Sequence, residues 1–120
     1  MIYISGKMTG VPNYREIFEK HENALKTLGN EVFNPVYLSD YIIAKNHIDA
    51  DKAFDENIRG LFLKEDIAAL LKCDKIYMIP GWETSEGAKL ERLVAEKCGI
   101  EIVEGMSLWP SVNYHQPKGW

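Results

Sequence analysis

Four short apolar runs constrain the fold more than any other feature of the chain: MIYIS at 1–5, EVFN at 31–34, KIYMI at 75–79 and IEIV at 100–103. Each is rich in β-branched or aromatic residues and too short for an ordinary helix, so each reads as a strand. The first three stop at Gly6, Pro35 and Pro80. Between them the period changes to that of helices. Tyr14, Ile17, Phe18, His21, Leu25 and Leu28 recur at three- and four-residue steps. Asn13 stands in front as an N-cap, with Glu16 at capping-box spacing, and Gly29 follows at the C′ position.

Residues 66–72 (DIAALLK) predict a helix with Ile67, Leu70 and Leu71 inward. Residues 85–97 predict another, with Leu90, Leu93, Val94 and Cys98 facing the core and Gly99 ending it. The middle of the chain is less regular. Residues 37–44 read as a helix start, 45–51 as a loop and 52–63 as a helix weakened by Gly60. Residues 105–120 have no clear period. Strands that alternate with helices predict one α/β domain over residues 1–120. The expected architecture is a small parallel sheet of four to five strands with helices on both faces, Rossmann-like or flavodoxin-like. Such sheets bind ligands outside the carboxyl ends of their strands. That rule selects the loops after Ser5, Asn34 and Ile79.

The 120-residue length suits a single domain with its own core. A net charge of -4 and a pI of 5.4 speak against a grip on nucleic-acid polymers, which rests on phosphate neutralisation. They leave room for a small anion at a local site. No apolar run approaches the roughly 20 residues that span a bilayer, so no membrane partner is expected. Met1 leads straight into a strand rather than a basic leader, and the expected location is the cytoplasm. Cys73 and Cys98 form no CxxC or Cys/His cluster, so both are expected to be buried free thiols. His21, His47 and His115 have no ligand-like spacing, and His21 falls on an apolar helical face. No metal site is expected.

The candidate chemistry gathers at the selected loops. SGKMTG at 5–10 is neither a Walker A nor a GxGxxG motif. Gly6, Lys7, Thr9 and Gly10 make a glycine-flanked turn with a cation, a hydroxyl and free amides before a helix. That suits an anion, or the glycines simply make the turn. Thr84 or Ser85 can cap the last helix, and Gly87 and Ala88 leave its first-turn amides uncovered. Glu91 lies on the line Gly87/Ala88–Glu91–Ala95, one step off the apolar stripe, where something can approach closely. It reads either as a reactive carboxylate or as a boundary residue in an ion pair. Tyr3 is either core packing or a phenol that reaches a ligand. Asp66 is either functional or an N-cap.

Together IYISG at 2–6, FNP at 33–35, Asp66, CDKIYMIPGW at 73–82 and SEGAKLE at 85–91 resemble the nucleoside 2-deoxyribosyltransferase superfamily. The likeness is greatest to a phage and bacterial branch of small proteins with the pattern PGW-x-x-S-x-GA-x-x-E. It covers about residues 1–103. The resemblance implies that Glu91 is a nucleophile, that Tyr3 orients it and that Asp66 protonates the departing base. Family members that transfer nucleosides carry aspartate six positions before the glutamate. Relatives that hydrolyse 2′-deoxynucleoside 5′-monophosphates carry serine there, against the phosphate, and this chain has Ser85. With Lys7 and Thr9 opposite, Ser85 favours a 5′-monophosphate over a free nucleoside. Trp82 is a candidate wall that stacks on the base. The implied reaction uses no metal or other cofactor. Neighbouring subunits often complete the pocket in this family, which implies a homodimer or larger homo-oligomer, and the 105–120 tail is a candidate for that role. A non-catalytic nucleotide-binding protein on the same fold is the alternative.

Overall fold

A computed structural model describes residues 1–108 of the chain. Four strands form an all-parallel sheet: β1 (Ile2–Ser5), β2 (Val32–Phe33), β3 (Lys75–Met78) and β4 (Glu101–Glu104), in the order β2-β1-β3-β4. Four helices connect or flank them: α1 (Tyr14–Thr27), α2 (Pro35–Lys45), α3 (Arg59–Leu70) and α4 (Glu86–Lys97). The chain leaves β1 towards one edge of the sheet to make β2, then returns past β1 to make β3. The strand order therefore reverses between β1 and β3, and their carboxyl ends flank a crevice.

Alternation along the strands sends side chains to two cores. Register places Tyr3 beside Phe33 and Ile76, and Ile76 beside Ile102. That row packs with Leu70 of α3 and with Ala88 and Ala95 of α4. The next row, Ile4, Tyr77 and Val103, points the other way onto Ile17, Phe18 and Leu25 of α1. Helices thus cover both faces, as expected for a parallel sheet.

Several local expectations change. Asn13 does precede α1, but its side chain makes no cap hydrogen bond, so the capping box is not formed. Pro35 not only ends β2 but also starts α2, at the position where a missing N–H is harmless. Asn34 caps that helix by accepting from the Val36 amide at 3.0 Å. The two helices expected at 52–63 and 66–72 are one, α3, preceded by short 3₁₀ turns at Ala50–Lys52 and Glu56–Ile58. Leu71 falls beyond its end and is half exposed, whereas Leu70 is buried. His21 is fully buried, and its Nδ1 lies 2.8 Å from the Tyr77 hydroxyl.

The largest correction concerns α4. Leu90 and Leu93 are 38% and 48% exposed, and Cys98 is exposed as well. The buried line is Ala88, Glu91 and Ala95 instead. Small residues let α4 lie close against β1 and β3, and the sheet supplies hydroxyl partners that make the buried glutamate tolerable. Among the described residues no helix is long and apolar enough to cross a membrane. The 109–120 portion of the tail, which was expected to complete a neighbour's pocket, lies outside the described residues.

Candidate active site

Tyr3 and Ser5 are two residues apart on β1, so both hydroxyls rise from the same face of the sheet. Both donate to Glu91 on α4. Tyr3 Oη is 2.5 Å from Oε2 and Ser5 Oγ is 2.7 Å from Oε1. Each carboxylate oxygen is therefore fixed by its own donor. All three side chains are buried. The Tyr3 ring is itself held by stacking on Phe33, with centroids 5.7 Å apart and planes 10° from parallel.

Burial pushes the Glu91 carboxyl up from an ordinary 4.5 to about 7, while the two hydrogen bonds pull it down. Burial, and then the Glu91 charge, raise the Tyr3 phenol well above its ordinary value, so it remains a donor. Asp66 lies within α3 rather than at its start, so it is not an N-cap. Its Oδ1 is buried with no hydrogen-bond partner. Burial, followed by repulsion from Glu91 and Glu65, raises its carboxyl from 3.8 to about 8. The site thus holds two carboxyl groups in unlike settings, one bonded by donors and one unpartnered. Environments of that kind separate an acid from an ionised group.

Glu91, Tyr3 and Asp66 line one cavity of about 410 Å³, within the range of small-molecule sites. It opens at the crevice between β1 and β3. Gly6, Lys7 and Thr9 form its wall after β1, and Ser85, Gly87 and Ala88 its wall after β3. Gly6 fits closely there: a Cβ would stand 3.0 Å from the Ile79 Cβ and 3.3 Å from the Phe18 ring, so those side chains would have to give way. Ser85 caps α4 by accepting from the Ala88 amide at 3.1 Å, which leaves its own O–H to donate. The preceding amides of Glu86 and Gly87 find no acceptor among the described residues. Lys7 reaches across to Thr84 Oγ1 at 3.2 Å, joining the two walls.

Two expected residues stand apart from the cavity. Trp82 packs on the second core, and the Arg92 guanidinium lies over its ring at 4.4 Å. It is therefore not among the residues that line the cavity. Gly10 also lies off the cavity, and its φ of +77° makes it the turn residue before α1. The aromatic wall comes from elsewhere. Phe54 and Phe62 line the cavity together with Tyr14, and Phe54 meets Tyr14 edge-on with centroids 5.6 Å apart. The 46–58 connection and α3 supply these two phenylalanines, in the region where the sequence pattern is weakest. Ser5 was also missed as a site residue, although its place two residues beyond Tyr3 was the available signal. Among the described residues, no group of three His, Cys, Asp or Glu side chains is placed to hold a metal.

Residues 1–104 match the family described as a domain of unknown function, DUF4406, and the chain belongs to that family. No curated protein and no solved structure matches the chain.

Proposed function

We propose that this DUF4406 member cleaves the N-glycosidic bond of a 2′-deoxynucleoside 5′-monophosphate through a covalent deoxyribosyl–Glu91 intermediate. The observation that carries the reading is Glu91 itself: a buried carboxylate on a cavity wall, with one hydroxyl donor on each oxygen. A glutamate there that served only for packing would need neither the cavity nor the unpartnered acid of Asp66 beside it.

Bond breaking builds oxocarbenium character at C1′. The Glu91 carboxylate adds to C1′ while the C1′–N electron pair leaves with the base. Asp66, held protonated by its surroundings, gives its proton to that base. Water then attacks C1′, its proton passes to the Asp66 carboxylate, and Glu91 is released. A second base in place of water gives transfer rather than hydrolysis. Ser85, the free amides of α4 and Lys7 seat the phosphate, which the helix N-terminus favours electrostatically. Phe54, Phe62 and Tyr14 enclose the base. In this reading the enzyme is cytoplasmic and self-associates, and the exposed Leu90 and Leu93 on α4 support the second point.

The test is a panel of deoxynucleosides and their 5′-monophosphates, with free base followed by chromatography. Base is expected from the monophosphates, and its release is expected to vanish in Glu91→Ala. Tight nucleotide binding without turnover, equal in both proteins, would replace the enzyme by a binding protein.

A further inference from the structure

The face that α3 turns to the cavity carries Arg59, Phe62, Leu63 and Asp66, at i, i+3, i+4 and i+7. These four form one stripe along the helix. Asp66 and Arg59 are two turns apart, about 10 Å along the axis. Given the reading above, on which this inference rests, Asp66 marks the base side of the glycosidic bond. Phe62 and Leu63 then lie along the base, and Arg59 stands at its far edge. The phosphate seat is on other elements, in the loops after β1 and β3. Arg59 is exposed at the cavity wall and forms no ion pair among the described residues, although Asp55 lies on the same cavity. A guanidinium has five donors and no acceptor. It rewards a carbonyl oxygen and offers nothing to an amino group.

We propose that Arg59 selects the base: the site takes nucleotides whose base carries a carbonyl oxygen on the edge away from the sugar, a 6-oxopurine or a 4-oxopyrimidine, over their amino counterparts. The same contact serves the chemistry. To the extent that the C1′–N pair leaves ahead of the proton from Asp66, negative charge spreads onto that carbonyl oxygen, and a cation beside it stabilises the departing group. Amino bases offer only a ring nitrogen there, beside an amino group that repels the guanidinium, and so gain less from either effect. A charge-assisted hydrogen bond of this kind is expected to contribute about tenfold or more to discrimination.

The experiment compares dGMP with dAMP and dTMP with dCMP, using the full chain and its Arg59→Gln variant. kcat/KM for base release and Kd by equilibrium titration are both measured. The wild-type protein is expected to prefer the oxo member of each pair by about tenfold. Arg59→Gln is expected to flatten that preference and leave the amino nucleotides within a few-fold. Thermal unfolding of the variant checks that the exposed substitution leaves the fold intact. An unaltered preference, an equal loss on all four nucleotides, or a wild-type preference for amino bases would overturn the assignment. Failure of the enzyme reading is a separate outcome. No base release, with an oxo preference in Kd that Arg59→Gln removes, keeps the role of Arg59 and refutes catalysis. Release without an oxo preference does the reverse.

Discussion

Asp66→Asn is expected to stabilise the protein progressively as pH rises, because the native site holds that carboxyl protonated with Oδ1 unbonded. The magnitude follows from linkage. The separation between an ordinary 3.8 and about 8 sets a ceiling of about 6 kcal/mol, at about 1.36 kcal/mol per pH unit. The folded state binds the proton more tightly than the unfolded chain. This contribution to stability is therefore complete below pH 3.8, is lost as pH rises towards 8, and changes no further above that. Relaxation and water entry reduce the ceiling, and about 1–3 kcal/mol is the expected net loss. Asparagine does not titrate, and whatever its own burial costs is the same at every pH. Urea unfolding of both proteins at several pH values between 4 and 9 gives midpoints and slopes. The stability of the variant relative to wild type should climb through this window and level off, with m unchanged. A difference independent of pH, or one that falls as pH rises, would refute the assignment of Asp66 as a buried acid.

Catalysis should follow a bell-shaped pH profile, with an acid limb near 7 from Glu91 and an alkaline limb near 8 from Asp66. Asp66→Asn should lower the rate and abolish the alkaline limb, as steady-state kinetics across pH would establish. Ser5→Ala and Tyr3→Phe each remove one donor to the Glu91 carboxylate, so each should move the acid limb upward and cost about tenfold at neutral pH. A purely structural role for either hydroxyl would leave that limb in place. Gly105→Ala should lower the melting temperature by several degrees, because the new Cβ would stand 2.2 Å from the Met78 carbonyl oxygen that the Gly105 amide bonds. Calorimetry checks it, and an unchanged melting temperature would mean that β4 shifts freely.

Much of the fold can be read from the chain because strand length and helical period are local signals. The runs at 1–5 and 75–79 are apolar enough to declare themselves, and parallel pairing follows from the helices between them. Ser85 also follows from local chemistry, since an N-cap needs only its own backbone. Glu91 does not. Its helix has a convincing leucine face, Leu90 and Leu93, yet the opposite line is buried. The deciding partners, Tyr3 and Ser5, lie 88 and 86 residues away. Periodicity ranks faces by side-chain hydrophobicity and carries no information on such donors. Trp82 lies off the cavity for a related reason. A tryptophan beside a ligand loop suggests stacking, but Arg92, ten residues on, already covers its ring. Phe54 and Phe62 gave no warning, because their positions depend on two 3₁₀ turns with no strong sequence period.

The proposed covalent role of Glu91 is tested most directly by stopping the reaction with acid before steady state and weighing the peptide that contains Glu91. With a reactive 2′-deoxynucleoside 5′-monophosphate, that peptide should gain the mass of one deoxyribosyl phosphate, lose it when water is given time to act, and gain nothing in Glu91→Gln. Base release that proceeds without this adduct and persists in Glu91→Gln would contradict the account.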